Sequence, residues 1–424
     1  MAAALVAAQG PLEYRTRAEI GKAPRLNFTA PHAKIHIVNI ESGLNIDDLR
    51  EHARAVLPRV AYEFLERGAE DEVSARENRS VFRNIRLRPR TLVDVSQRSQ
   101  QLTLFGKTYS APFGIAPTGA AGLYWHDADI ALARAAAAAN VPFVLSTASF
   151  VEMERVAKEA DGSKWFQLYM SKEREGAERL ITRARDAGFE ALVVTTDVNV
   201  GGNREYNRRN GFSIPFNLNL PNMIDGALHP RWLVKVFLRT LMKSGVPRFQ
   251  NVDSNVGGRI VAKNLEEFRA RRDAMDWDDL AWVRSIWPRK LFVKGVLTPD
   301  DALRAAALGL DGIFVSNHGG RQLDGAITPL EMLPEIADAV RGRLTIALDG
   351  GVQRGSDIVK ALALGADIVF VGRATLYGAA VAGEAGAARA IQILKSEIDR
   401  VMALLGARTV QELTRDHLLM PGRV

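Results

Sequence analysis

From about residue 110, short apolar runs alternate with alanine-rich amphipathic stretches. The runs are Phe113–Ala116, Phe143–Leu145, Trp165–Tyr169, Ala191–Thr195, Leu291–Val293, Gly312–Val315, Leu344–Leu348 and Ile368–Val371. They start 30, 22, 26, 100, 21, 32 and 24 residues apart. A strand, a helix and a second strand within about 20–30 residues form the βαβ unit of a parallel sheet. Eight runs predict a (β/α)8 TIM barrel. An open doubly wound sheet is disfavoured, because no Gly-x-Gly-x-x-Gly follows the first strand. The fourth interval exceeds one unit by roughly 70 residues, which predicts a long insertion after strand 4, at about residues 205–285. Insertions that follow a barrel strand lie on the C-terminal face, beside the active site.

Residues 1–44 lack sustained periodicity and contain Pro11, Pro24 and Pro31, so they read as an N-terminal arm. Residues 45–424 read as one barrel domain, opening with an N-terminal helical part over 45–110. Asn45 can cap a helix in which Leu49, Ala53, Val56, Val60, Ala61, Phe64 and Leu65 recur at three- and four-residue spacing. The apolar stretch from Ile130 to Ser149 carries Arg134, Asn140 and Pro142, and reads as a helix then a strand, not as a membrane span. The first residues have no basic run before their apolar ones, so no signal peptide is expected and the location reads as cytoplasmic.

There is no cysteine, which excludes a thiol nucleophile, zinc fingers and iron–sulfur clusters. Lys plus Arg number 56 and Asp plus Glu 49, a net charge of +7. Such a balance suits nucleic acid, an anionic membrane surface, an acidic ligand or merely solvent. Residues 228–250 carry Arg231, Lys235, Arg239, Lys243 and Arg248 and no acid, a local +5. Trp232, Leu233, Val236, Phe237, Leu241 and Met242 are interleaved with them. From Trp232 to Lys243 this reads as a basic amphipathic helix, able to dock on the inner face of an anionic membrane or to pack on its own barrel. Nucleic acid is not expected: Arg83, Arg86, Arg88 and Arg90 belong to no recognised binding module.

The expected chemistry sits where the strands end. The glycine-rich turns Asp349-Gly350-Gly351 and Gly372-Arg373 follow strands seven and eight, where barrels build phosphate sites from backbone N–H groups. They predict a phosphorylated ligand, with Arg373 adding a charged fork. After strand six comes Ser316-Asn317-His318-Gly319-Gly320-Arg321. Here a proton acceptor stands three residues from a carboxylate-binding fork, with Asp197 placed to stabilise an imidazolium across the mouth and Arg204 nearby. The seven scattered histidines predict no metal site.

The segment from Ser316 to Asp324 resembles the active-site signature of the FMN-dependent 2-hydroxy acid oxidases and dehydrogenases. Gly68 to Glu72, Trp165 to Tyr169, Val293-Lys294-Gly295 and Lys360 to Asp367 match as well, and the resemblance covers about residues 45–418. It is nearest the membrane-associated mandelate dehydrogenase branch, through Leu145 to Ser149 and His229 to Trp232. The resemblance implies FMN as cofactor and oxidation of an (S)-2-hydroxy acid, aromatic or lactate-like, to the 2-oxo acid. Electrons would pass to a quinone or other acceptor, or to O2 in an oxidase, and the assembly would be a homotetramer. His318 would be the base, held by Asp197. Arg321 and Arg204 would bind the substrate carboxylate with Tyr169. Lys294 would face the N1–O2 edge of the flavin. Pro117, Thr118, Ser146, Gln167 and Thr195 would contact the ring, Ser316 and Asp349 the ribityl region, and Gly350, Gly351, Gly372 and Arg373 the phosphate.

Several positions depart from the usual pattern of that family. Phe64 replaces a tyrosine that helps bind the carboxylate. Ala148 replaces a bulky tryptophan and suggests room for an aromatic or branched side chain. Gln353 stands where an arginine often lies beside the phosphate, and Arg354 is the candidate to compensate. Gly119 matches dehydrogenase-like members and implies slow reaction with oxygen. An isomerase or nucleotide-linked FMN enzyme on the same barrel, and a non-catalytic, flavin-retaining peripheral membrane protein, are the competing readings.

Overall fold

The eight runs form eight parallel strands in the computed structural model, which describes residues 39–170, 174–213, 219–252, 272–340 and 342–420. They are β1 (Phe113–Ile115), β2 (Phe143–Ser146), β3 (Lys164–Leu168), β4 (Ala191–Thr195), β5 (Lys290–Val296), β6 (Gly312–Val315), β7 (Thr345–Leu348) and β8 (Ile368–Val371). Each pairs with its neighbour in the chain, and β8 returns to β1 with Val369 opposite Phe113, so the sheet closes into a (β/α)8 barrel.

Side chains two apart on a strand share a face. Trp165, Phe292, Phe314 and Phe370 meet inside the barrel, with ring centroids 4.9 Å apart for Trp165 and Phe292 and 4.8 Å for Phe314 and Phe370. All four are buried, and each contributes about 2–3 kcal/mol of hydrophobic stabilisation. Glycines make room for the rings: a Cβ on Gly312 would lie 2.1 Å from Phe292, and one on Gly114 2.6 Å from Phe370. Two residues further along the same strands stand Gln167, Lys294, Ser316 and Gly372. Period two therefore sets a polar layer directly above an aromatic floor.

The preceding segment supplies α1 (Ile46–Val56), α2 (Arg59–Glu66) and α3 (Val73–Asn84). Asn45 caps α1, its side chain accepting from the Asp48 N–H at 2.9 Å. α1 buries Leu49, Ala53 and Val56, and packs on the long C-terminal helix Arg373–Leu405. The 45–110 part is not wholly helical: Leu102–Leu104 and Lys107–Tyr109 form a hairpin, and Arg86–Leu87 pairs with Leu418–Leu419. Strands of two or three residues are too short to leave a periodic signal. Of the predicted arm, 1–38 lie outside the described residues; Gly43 is tied to the body, its carbonyl accepting from Arg389 at 3.0 Å.

The insertion after β4 contributes helices Glu205–Arg209 and Leu220–Leu228 and a continuous helical stretch over 230–244, π-wound at Leu233–Leu238. Residues 214–218 and 253–271 lie outside the described part. The basic helix rests on the barrel through Trp232, whose indole N–H donates to the Leu123 carbonyl at 2.8 Å. Arg231 donates to the Val381 carbonyl, next to a bend in the long helix at Ala382–Gly383. Arg231 is thus a docking residue, not one of the outward charges the sequence suggested. Among the described residues no helix is long and apolar enough to cross a membrane.

Candidate active site

All eight strand ends open into one cavity of about 870 Å³. Its wall includes Pro117, Thr118, Gly119, Ala148, Gln167, Tyr169, Thr195, Lys294 and His318. Asp349, Gly350, Gly351, Gly372 and Arg373 line it on the β7–β8 side, and Phe64, Arg204 and Arg321 complete the predicted set. Asp197, Ser146 and Ser316 stand just behind the wall and hold residues that line it.

His318 Nδ1 lies 2.8 Å from Asp197 Oδ1. That bond fixes the proton on Nδ1 and leaves the Nε2 lone pair as the ring's acceptor. The histidine adopts φ +57, a left-handed conformation uncommon for a residue with a side chain, and its N–H donates to Ser316 Oγ at 3.1 Å. Burial favours protonation of the Asp197 carboxyl, but His318 and Lys294 outweigh it and hold the group below the usual carboxylate range. Asp197 therefore stays anionic beside the ring.

Lys294 is buried and 3.0 Å from Asp349. Burial opposes its charge, but Asp349 and Asp197 raise its pKa above the ordinary lysine value. Ser316 accepts from Lys294 and donates to Asp349, so one hydroxyl ties β5, β6 and β7 together at their ends.

Arg321 donates to the carbonyls of Phe64 at 2.9 Å and Arg67 at 2.8 Å. Its guanidinium lies over the Phe64 ring, 5.3 Å from the centroid. Arg204 reaches across to the Arg321 carbonyl at 3.3 Å and to Gln322 at 3.2 Å. The site therefore gathers an imidazole and two guanidinium groups on one side of the cavity.

The other side has the groups to take a cofactor. Gln167 takes a hydrogen bond from Ser146 at 3.0 Å through its oxygen, while its buried amide nitrogen has no partner. The buried Thr195 hydroxyl is likewise without one. Unmet buried polar atoms are costly, and a polar heteroaromatic ring between β3 and β4 would satisfy both. At the β7 turn Gly350 and Gly351 have φ of +104 and +77, and a Cβ on Gly351 would fall 1.8 Å from the Asn78 carbonyl oxygen. The neighbouring Gly372 precedes the helix Arg373–Leu405, whose first N–H groups can receive phosphate oxygens. The residues present fit FMN: candidate ring contacts at the ends of β1 to β5, a phosphate cradle at β7 and β8. Gly351→Ala should lower thermal stability by about 2 kcal/mol or more and lose bound flavin on gel filtration, because both conformation and space forbid the methyl.

Arg354 does not line the cavity. Its guanidinium turns outward to Glu397 at 3.3 Å, where the N-terminus of the helix Gly355–Leu364 places it. Gln353 lines the cavity instead. Residues that sequence reasoning did not find are Tyr124, Phe212 and Phe249, together with the reciprocal buried pair Asn78–Asn317, at 2.7 and 2.8 Å, behind the β7 turn. Phe212 stacks on Phe64 at 4.5 Å. The two phenylalanines sit in the insertion, outside any periodic pattern that would have marked them.

The fold and site define a (β/α)8 barrel whose mouth can hold a phosphorylated ligand beside an imidazole and two guanidinium groups. A family model described as FMN-dependent dehydrogenase matches residues 53–420. The chain is 44% identical to (S)-mandelate dehydrogenase from Pseudomonas putida over 378 residues, covering 89% of this chain and 94% of that protein. It is 41% identical over 403 residues to a putative L-lactate dehydrogenase from Mycobacterium tuberculosis, 95% of each. Among solved structures, monotopic membrane protein (S)-mandelate dehydrogenase superposes with a TM-score of 0.84 at 43% identity, covering 89% of this chain and 99% of that one. The chain belongs to the FMN-dependent dehydrogenase family, and its cofactor is FMN. It is a 2-hydroxy acid oxidoreductase.

Proposed function

We propose that the protein oxidises an (S)-2-hydroxy acid with an aromatic or large apolar side chain to the 2-oxo acid, with His318 as base. The observation that carries this is the bonded pair His318–Asp197 facing Arg321, with an apolar wall alongside. That wall is made by Phe64, Phe212, Phe249 and Ala148. Stacked rings beside a small residue suit an aryl group, and Phe64 offers no hydroxyl to a hydrated one.

FMN, when bound, would accept the two electrons together with one of the two hydrogens that leave the substrate. The chain's residues do the rest. Arg321 and Arg204 grip the carboxylate and orient the carbinol carbon. His318 Nε2 takes a proton from the substrate as the carbonyl forms, and the Asp197 carboxylate stabilises the imidazolium. Lys294 places positive charge where negative charge develops on the cofactor. A series of glycolate, lactate, 2-hydroxy-3-methylbutanoate and mandelate with a soluble dye as acceptor tests the substrate class. The expected kcat/KM is highest for the aromatic acid; a preference for glycolate would overturn that choice.

The acceptor reading rests on the insertion. Val234, Leu238, Leu241 and Met242 form an exposed apolar stripe on the basic helix, Met242 at 77% exposure, next to Lys235, Arg239 and Lys243. Leu220, Met223, Ile224 and Leu228 are exposed as well, on the preceding helix. An apolar stripe bordered by cations suits an anionic bilayer interface, and a membrane quinone is then the acceptor we infer. Gly119 supports the same choice, in line with slow use of oxygen. Leu238→Glu combined with Met242→Glu should cut binding to anionic liposomes at least about tenfold, with dye-linked activity in solution unchanged. Equal flotation of both proteins would remove this helix as the anchor.

A further inference from the structure

The last turn of α2 presents four successive carbonyls, those of Phe64, Leu65, Glu66 and Arg67. Carbonyls at a helix C-terminus lack intrahelical partners and carry the negative end of the dipole. Two arginines fill them, with the Tyr206 hydroxyl also reaching the Arg67 carbonyl at 3.4 Å. Arg321 takes Phe64 and Arg67, with Leu65 more distant at 3.5 Å, and Arg373 donates to the Glu66 carbonyl at 2.8 Å. One helix end therefore aims both cations, the one at the substrate carboxylate and the one at the cofactor phosphate.

The side chain of Glu66 anchors that end. One carboxylate oxygen accepts from the Tyr377 hydroxyl, and the other pairs with Arg50 of α1 at 2.9 Å. Tyr377 lies four residues after Arg373, on the same face of the long helix. Backbone and side chain of Glu66 thus grip that face at two points. Tyr377 is fully buried; burial first, and the Glu66 carboxylate second, keep its phenol protonated and donating. The Arg50–Glu66 pair forms part of the wall of a second cavity, about 530 Å³, on the outer side of α2. α2 is consequently a partition whose inner face carries Phe64 and whose outer face carries the anchor.

We propose that Glu66 is a positioning residue that couples the FMN-phosphate site to the substrate-carboxylate site by fixing the carbonyls that orient Arg373 and Arg321. This rests on the reading of Arg321 as the carboxylate ligand. Glu66→Gln weakens the anchor while keeping its shape, and Tyr377→Phe removes a single hydroxyl.

The test measures FMN affinity by fluorescence on reconstitution, affinity of the oxidised holoenzyme for a 2-oxo acid by flavin difference spectra, and the split between kcat and KM. In both variants FMN and 2-oxo acid affinities should fall together by roughly five- to twentyfold. KM should rise in step, with kcat moving less. Sulfite affinity, which reads the charge of Lys294 on the flavin, should stay at the wild-type value. If Glu66→Gln does not fold, Tyr377→Phe decides. Loss of FMN affinity with 2-oxo acid binding intact, or no change in either, would overturn the coupling. Wild-type enzyme that binds no 2-oxo acid would instead overturn the assignment of Arg321.

Discussion

His318→Gln is expected to retain FMN and to lose substrate-driven flavin reduction by about 10²–10⁴-fold, the usual contribution of a positioned general base. Glutamine can fill the space and hydrogen-bond Asp197, but it cannot hold the proton that leaves the substrate. The residues that fit the cofactor lie elsewhere, on β1 to β5 and on the β7 and β8 turns, so flavin content should match wild type. The position has φ +57, which glutamine tolerates less well than histidine, so a small drop in Tm is also expected. Rapid mixing under nitrogen, with flavin absorbance as the signal, separates the two effects: a folded, yellow variant that does not bleach. Bleaching at the wild-type rate would remove His318 from the chemistry.

Arg321→Met should lower kcat/KM by about 30- to 1,000-fold, corresponding to about 2–4 kcal/mol for a lost charge-assisted, bidentate contact. The loss has two sources. On the proposed reading the substrate carboxylate would lose its fork; the Phe64 carbonyl would also lose its donor, and Arg67 would keep only the Tyr206 hydroxyl at 3.4 Å. The cation–π contact on Phe64 disappears as well. Arg321→Lys should recover only part of the rate, because a point charge cannot serve the carboxylate and two helix carbonyls together. Neutral ester substrates provide the control. They should lose far less than the free acids, and an equal loss for both would argue that Arg321 shapes the pocket without binding the carboxylate.

The barrel was legible because its strands are bounded by polar or glycine-rich ends and spaced for βα units. All eight runs became strands, with ends shifted by a few residues at most. The site was legible for the same reason: inward positions alternate, so Gln167 and Lys294 follow Trp165 and Phe292 at the required interval of two. The resemblance to the family then gave each position a role. What escaped lies where periodicity is silent. Arg354 is one residue from Gln353, yet the start of a helix turns its side chain to Glu397 and away from the cavity. Phe212 and Phe249 reach the pocket from an insertion whose path no local pattern encodes. The charge of Arg231 looked like part of a membrane face, and only the bend at Ala382–Gly383 shows where it docks. The clustering of arginines on the end of α2 joins residues more than 250 positions apart, which local sequence cannot reveal.

The most direct measurement is a single anaerobic turnover of the wild-type, FMN-loaded protein mixed with (S)-mandelate, (R)-mandelate and glycolate in turn. The flavin should bleach fully and fastest with (S)-mandelate, releasing the 2-oxo acid in amounts equal to the flavin. A flavin that stays oxidised with every 2-hydroxy acid would contradict the assignment of this site as a 2-hydroxy acid oxidising centre.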